Sequence, residues 1–107
     1  MENELFDMHA ELCKTISDPK RLKILYLIGN KEKSVSEIVK QSGFRQANVS
    51  QHLAILRQKG VVIGRRKGKS IEYSVAFPKM VKACNLIREV LDEQAEQKRK
   101  IFKGGRK

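Results

Sequence analysis

Apolar residues recur along most of the chain at the three- and four-residue spacing of amphipathic helices, and only the segment between Gly60 and Pro78 departs from this period. Residues 4–16 follow the helical period and predict a first helix. A second helix is expected to begin at Pro19, with Ser17 or Asp18 as its N-cap, and to stop at Gly29. Its apolar stripe, and therefore its expected buried face, consists of Leu22, Ile24, Leu25, Tyr26 and Ile28.

Two shorter helices are predicted next. Ser34 and Glu37 have the spacing of a capping box and predict a third helix that ends before Gly43. A fourth helix is expected over residues 46–59, and Gly60 would end it. Two short helices joined by a turn that contains glycine form a helix-turn-helix. The inward side chains of the fourth helix are expected to be Val49, Leu53 and Leu56.

After Gly60 the apolar period shortens to that of a β-strand. Val61–Ile63 predicts one strand, Arg66–Lys69 carries a turn signal, and residues 71–75 alternate as a second strand. These elements predict a hairpin with a basic tip, the wing of a winged helix-turn-helix.

Pro78 is expected to open a long final helix that runs to about Lys100. Its apolar seam repeats at four-three spacing, which suits packing against another helix. The whole pattern predicts a mainly α fold with a small β-hairpin wing. We assign residues 1–102 to one winged-helix domain for DNA binding and dimerisation, and residues 103–107 to a basic tail. The seam residues are Met80, Cys84, Ile87, Leu91 and Gln94.

The net charge of +11 over 107 residues is unevenly distributed. No acidic residue lies between Glu37 and Glu72, and the cations of the wing are expected to be uncompensated. A basic surface of this kind predicts a nucleic-acid partner, because phosphates bound by cations release their counterions. No apolar run could span a bilayer, and the acidic start does not resemble a signal peptide, so we expect a cytoplasmic protein with no membrane partner. The basic residues between the two acids are Lys40, Arg45, Arg57, Lys59, Arg65, Arg66, Lys67 and Lys69.

A helix that enters the major groove needs short polar side chains near its N-terminus. The fourth helix has such residues, and the wing cations are expected to bind phosphates or the adjacent minor groove. His52 has two open interpretations: contact with DNA, or local packing and hydrogen bonding. The predicted DNA-binding residues are Arg45, Gln46, Asn48, Ser50, Gln51, His52, Arg57, Arg65, Arg66, Lys67 and Lys69.

Three segments resemble the ArsR/SmtB family of bacterial and archaeal repressors. Residues 17–25, SDPKRLKIL, are similar to the family's SDPTRLRIL. Residues 47–62, ANVSQHLAILRQKGVV, are similar to its recognition helix, and residues 64–75, GRRKGKSIEYSV, to its wing. The resemblance implies a homodimeric winged helix-turn-helix repressor that binds double-stranded operator DNA.

The chain departs from the family's metal sensors. Ser34-Val35-Ser36 stands where many relatives have Cys-Val-Cys, and residues 78–100 contain no histidine. We therefore expect no metal site and no cofactor. Cys13 and Cys84 remain, and two interpretations stay open: buried packing, which is usual for free cysteine, or a thiol switch between the first and last helices.

The leading interpretation is a sequence-specific regulator. An architectural protein that binds DNA without sequence preference is the alternative, and a protein-interaction module is a third. An enzyme is not expected, since the chain has no Ser-His-Asp set, no phosphate-binding glycine loop and no evident pair of catalytic carboxylates. The sequence indicates no effector.

Overall fold

The structure, a computed structural model, describes the backbone of residues 2–105 and the side chains of residues 2–102. Helices dominate, and a small antiparallel sheet lies near the middle of the chain. In order, the elements are α1 (Glu2–Ile16), α2 (Pro19–Ile28), β1 (Lys33–Ser34), α3 (Val35–Ser42), α4 (Gln46–Gln58), β2 (Val62–Lys67), β3 (Ser70–Val75) and α5 (Pro78–Gly105).

Local signals set the helix ends as predicted. The Asp18 carboxylate accepts hydrogen bonds from the backbone N–H groups of Lys20 (2.9 Å) and Arg21 (3.2 Å), so Asp18 is the N-cap of α2. The capping box of Ser34 and Glu37 is present at the start of α3. Helix α3 stops where Gly43 takes the left-handed conformation, at φ 76°, which an L-residue with a side chain rarely adopts.

The wing is the hairpin of β2 and β3, paired from Val62 with Val75 to Lys67 with Ser70. Its strands are longer than predicted, so the loop shrinks to Gly68 and Lys69. Gly68 has φ 60°, as the first loop position of a type II′ turn requires. Strand β1 was not predicted, and it joins the other edge of β3, giving the order β1-β3-β2.

The fully buried apolar residues belong to α2, to the helix-turn-helix of α3 and α4, and to the chain at the start of β2. Tyr26 was expected in this core, but that expectation is wrong: its side chain is 59% exposed. The ring turns away from α3 and α4 and lies under the Arg88 guanidinium of α5, 4.2 Å from the ring centroid. The buried apolar residues are Ile24, Leu25, Ile28, Ile38, Val49, Leu53, Leu56, Val61 and Val62.

Helices α1 and α5 contribute little to this core. Thr15 is the buried residue of α1, and α5 continues to Gly105, past its predicted end near Lys100. The boundary predicted at residue 102 stays a prediction, because the side chains of residues 103–107 lie outside the described part. No helix among residues 2–105 is long and apolar enough to cross a membrane.

Candidate nucleic-acid interface

Helix α4 is anchored on one side and exposed on the other. Val49, Leu53 and Leu56 each have an exposure of 0% and fix the helix to the core. The predicted contact residues divide into two groups around this anchor. Asn48 and His52, one turn apart, are half-buried at the flank of the helix. The exposed ones are Gln46, Ser50 and Gln51, with Arg45 at the N-cap.

The first turn of α4 has no side-chain cap. Arg45 occupies the N-cap position, and its side chain makes no capping hydrogen bond. The other two helices of this core are capped by Asp18 and Ser34. The amide groups at the start of α4 are therefore left to solvent or to an external acceptor.

Glu32 partly neutralises the wing, which corrects the expectation of an uncompensated basic hairpin. Its carboxylate accepts from Arg65 Nη2 at 2.6 Å and from Arg65 Nε at 3.1 Å, and lies 3.6 Å from Lys67 Nζ. Hydrogen bonding to Arg65 holds the pKa of Glu32 below its usual range. Glu32 precedes the acid-free stretch, so only the folded chain brings it to the wing.

Two wing cations remain available. Arg66 and Lys69 are exposed, and neither forms an ion pair within the described residues. Arg65 and Arg66 are successive residues of β2, so their side chains point to opposite faces of the hairpin. The four predicted wing residues therefore differ: two already have a carboxylate partner and two do not.

Arg57 lies at the junction between α4 and the wing. A Cβ atom built on Gly64 of β2 would be 3.3 Å from Arg57 Cζ and 3.2 Å from Ile71 Cγ2. The guanidinium therefore rests against the glycine backbone, where a larger residue would displace it. This contact joins the end of α4 to the first half of the hairpin.

His52 has a hydrogen-bond partner on α2. Its Nδ1 atom accepts from Arg21 Nε at 3.2 Å. The interpretation of local hydrogen bonding is therefore correct for one ring nitrogen, and it leaves the second nitrogen for another role.

The prediction from sequence did not include the basic residues of α2. Lys20 Nζ and Lys23 Nζ lie 5.7 Å and 5.6 Å from the ring centroid of Phe44, which belongs to the turn between α3 and α4. The charged group of each lysine thus lies beside the helix-turn-helix. The signal available in the sequence was the cluster PKRLK at the start of α2, which was interpreted only as a family motif.

Comparison with known proteins identifies the family. A family model described as bacterial regulatory protein, arsR family, matches residues 18–63. An uncharacterised HTH-type transcriptional regulator of Mycobacterium tuberculosis, Rv0081, is 39% identical over 93 residues, which are 85% of this chain and 82% of that protein. The chain belongs to the ArsR family of bacterial regulatory proteins.

Solved structures of ArsR-type regulators have the same architecture. The crystal structure of M. tuberculosis Rv0081 matches with a TM-score of 0.78 and 35% identity, over 88% of this chain and 95% of that one. The homodimeric winged helix-turn-helix DNA-binding domain of Mb0332 from Mycobacterium bovis matches with a TM-score of 0.80 and 29% identity, over 90% and 89% of the two chains. The predicted resemblance and the winged helix-turn-helix fold are confirmed.

The two cysteines of this ArsR-family chain lie on its first and last helices. Cys13 and Cys84 are free thiols that line one cavity of about 310 Å³ between α1 and α5. Cys13 is exposed, so the expectation of buried packing is wrong for it in the single chain, whereas Cys84 is half-buried. Burial raises the pKa of the Cys84 thiol, and Arg88 partly opposes this rise. Among the residues that the structure describes, no group of three or more His, Cys, Asp or Glu side chains is arranged to hold a metal ion.

The ion pair at the wing allows a prediction about the pKa of Glu32. Arg65→Gln should raise the pKa of Glu32 toward its ordinary value, because the main cause of the lowered pKa is the hydrogen bond from Arg65. Because the folded pKa lies below the unfolded one, the stabilisation from this pair is present above the unfolded pKa and is lost as pH falls through the folded pKa. NMR titration of the Glu32 carboxyl carbon measures the shift.

Arg66→Gln is the matched control, since it removes the same charge from the opposite face of β2. It should leave the pKa of Glu32 nearly unchanged. An equal rise in both variants would mean that general positive charge, and not the ion pair, lowers this pKa.

Proposed function

We propose that this ArsR-family chain is a homodimeric transcriptional repressor that binds double-stranded operator DNA sequence-specifically. The observation that carries the proposal is α4: three buried apolar side chains fix the helix, and its exposed surface includes Gln46, Ser50 and Gln51. A rigid helix with exposed amides and hydroxyls is suited to the donors and acceptors of a major groove. A relative from Xylella fastidiosa, 35% identical over 88 residues, 82% of this chain and 77% of that protein, is described as a biofilm growth-associated repressor, which supports repression over activation.

The two parts of the interface would have different tasks. Glutamine and asparagine can form paired hydrogen bonds with adenine, so Gln51, Asn48 and their neighbours on α4 would read bases. The uncapped amides at the start of α4, together with Arg45, would bind phosphate. Arg66 and Lys69 of the wing would also bind phosphate, which positions a protein on DNA without reading its sequence. Arg65 and Lys67 would contribute less directly, because they already pair with Glu32, and so would Arg57, because its guanidinium packs against Gly64.

A paired substitution separates base reading from backbone binding. Gln51→Ala should weaken binding to a duplex selected from random DNA by about 1–3 kcal/mol and leave binding to an unselected duplex nearly unchanged. Arg66→Gln should weaken both complexes alike and reduce the slope of log K against log salt by about 1. Fluorescence anisotropy at several salt concentrations measures both effects. Equal affinity of the wild type for selected and unselected duplexes would instead favour the architectural alternative.

Dimer formation is proposed from the apolar surface of α1 and α5. Leu5, Phe6 and Met8 of α1 are each more than 60% exposed, and Leu86, Ile87, Val90 and Leu91 of α5 are about half exposed. Monomeric proteins rarely expose so much contiguous apolar surface. A second copy is the proposed occupant, because the structurally similar Mb0332 domain is described as homodimeric. A two-fold axis would then place two α4 helices for successive half-sites about one DNA turn apart.

A charge on the apolar face of α5 should prevent assembly. Leu91→Glu is expected to give monomers, because a buried, unpaired carboxylate is unfavourable, and monomers should bind operator DNA much more weakly. Asn85→Glu is the control, since Asn85 is exposed on the other side of the same helix. Sedimentation velocity at micromolar concentration distinguishes the two variants. A monomeric wild type, or a dimeric Leu91→Glu variant, would contradict the proposed interface.

We further propose that Cys13 and Cys84 respond to oxidants by forming a disulfide. Cys13 and Cys84 line the same cavity, from two helices that the dimer would use. Peroxide would reach the exposed Cys13 first and form a sulfenic acid, with release of water. Cys84 would then attack this sulfur, forming the disulfide and releasing a second water. The crosslink would join α1 to α5 and alter the separation of the two α4 helices.

Oxidation should therefore change DNA binding reversibly. We expect hydrogen peroxide to reduce operator affinity of the wild type by about tenfold, a common size of coupling between sites, and dithiothreitol to restore it. Cys13→Ser and Cys84→Ser should keep full affinity under the same treatment, because neither can form the crosslink. Mass spectrometry verifies the disulfide. Unchanged affinity of the oxidised wild type would contradict the proposed thiol sensing.

A further inference from the structure

One guanidinium group connects three helices at the edge of the helix-turn-helix. Arg21 Nη1 donates to the backbone carbonyl oxygen of Thr15 at 2.8 Å, in the last turn of α1. Arg21 Nε donates to His52 Nδ1 at 3.2 Å, on α4. The backbone N–H of Arg21 is itself bound by the Asp18 cap. The side chain of Arg21 therefore leaves α2 at a fixed point and reaches both α1 and α4.

We propose that Arg21 is a positioning residue that fixes the ring of His52 with its Nε2–H group outward, so that His52 donates a hydrogen bond to DNA. The inference rests on the proposed DNA-binding function. It gives Arg21 a role that requires no contact with DNA, and it predicts which ring nitrogen of His52 carries the proton.

The polarity of the ring follows from the arginine. Guanidinium carries only donors and stays protonated, so the atom that receives its N–H must be an unprotonated acceptor. Nδ1 of His52 is that atom. A neutral imidazole carries one proton, which must then lie on Nε2. His52 thus offers a donor on its free side and no acceptor there.

The free side of the ring reaches the surface. Nε2 of His52 forms no hydrogen bond with the described residues, and no buried side-chain nitrogen or oxygen among them lacks a partner. The half-buried ring therefore has its unpartnered nitrogen in contact with solvent. Asn48 lies one turn earlier on α4 and Gln51 beside it, so this donor belongs to the same surface as the proposed base-reading residues.

DNA offers two kinds of acceptor to such a donor. Phosphate oxygens border both grooves, and the major-groove edge carries N7 and O6 of guanine, N7 of adenine and O4 of thymine. The ring would reject a donor such as the amino group of cytosine or adenine. A His52–phosphate contact would act on any sequence, and a His52–base contact only on the selected one.

Two isosteric substitutions test the donor. Gln places its amide nitrogen near the Nε2 position of histidine, whereas the shorter Asn reaches only the Nδ1 position. His52→Gln should stay within about threefold of wild-type affinity for the selected duplex, and His52→Asn should lose about tenfold, as expected for one lost hydrogen bond. Equal loss on an unselected duplex identifies phosphate as the acceptor, and loss on the selected duplex alone identifies a base; both outcomes support the donor. Wild-type affinity of His52→Asn would overturn the proposal.

A double-mutant cycle tests the positioning role. Arg21→Met keeps the apolar stem and removes the donors. If Arg21 acts through His52, the losses of Arg21→Met and His52→Asn will not add in the double variant, whereas a merely structural arginine gives additive losses and overturns the proposal. Urea unfolding of each variant confirms folding. Should Arg21→Met not fold, Arg21→Lys takes its place in the cycle, since lysine keeps the charge but not the Nε donor.

The free wild-type protein provides a measurement that needs no DNA. Long-range ¹⁵N–¹H correlation at pH 8 should show the His52 proton on Nε2 alone, and Arg21→Met should introduce a population with the proton on Nδ1. A wild-type ring protonated on Nδ1 would overturn the inference. Failure of the wild type to bind any duplex would instead overturn the proposed function, because ring polarity is measured independently.

Discussion

The packing of α2, α3 and α4 around one buried cluster is the constraint on which the rest of the structure depends. Ile24 and Ile28 of α2, Ile38 of α3 and Leu53 of α4 are essentially inaccessible to solvent. Interiors of this kind are close-packed, so α4 cannot rotate about its axis without creating voids or clashes. The exposed side of α4 is consequently as well defined as its buried side. A small chain obtains a rigid exposed helix surface in this way from a core of only a few side chains.

Local signals account for what the sequence could predict. The caps of α2 and α3, the glycine stop after α3 and the inward residues of α4 depend on neighbours within about four positions, and these features were correct. The features that were missed or wrong depend on distant residues. Strand β1 has two residues and forms only because β3 lies beside it. Tyr26 fits the apolar stripe of α2, yet its ring packs under Arg88 of α5. This contact joins residues far apart in sequence, so no local pattern could predict it.

The charge of the candidate site also depends on a residue that is distant in sequence. The positions of the basic residues can be taken directly from the sequence, but the effective charge of the wing depends on Glu32, which pairs with Arg65 across 33 positions. Exposed ion pairs contribute little to stability. This pair is therefore important mainly because it reduces the positive electrostatic potential at the wing. Phosphates would compete with Glu32 for Arg65 and Lys67, whereas Arg66 and Lys69 would bind them without displacing a partner. The four cations of the wing therefore differ in how readily they can bind an external phosphate.

The same core leaves α1 and α5 with apolar faces that the single chain does not bury, and this connects assembly to DNA geometry. Helix α1 contacts the rest of the domain at its last turn. There Thr15 is buried, and its carbonyl oxygen accepts a hydrogen bond from Arg21. A second copy packed on α1 and α5 would fix the position of this turn. Arg21 would then transmit that position to His52, and through it to α4, over hydrogen bonds of 2.8 Å and 3.2 Å. The distance between two reading helices would follow from the dimer, because one short chain of contacts joins the proposed interface to the proposed reading surface.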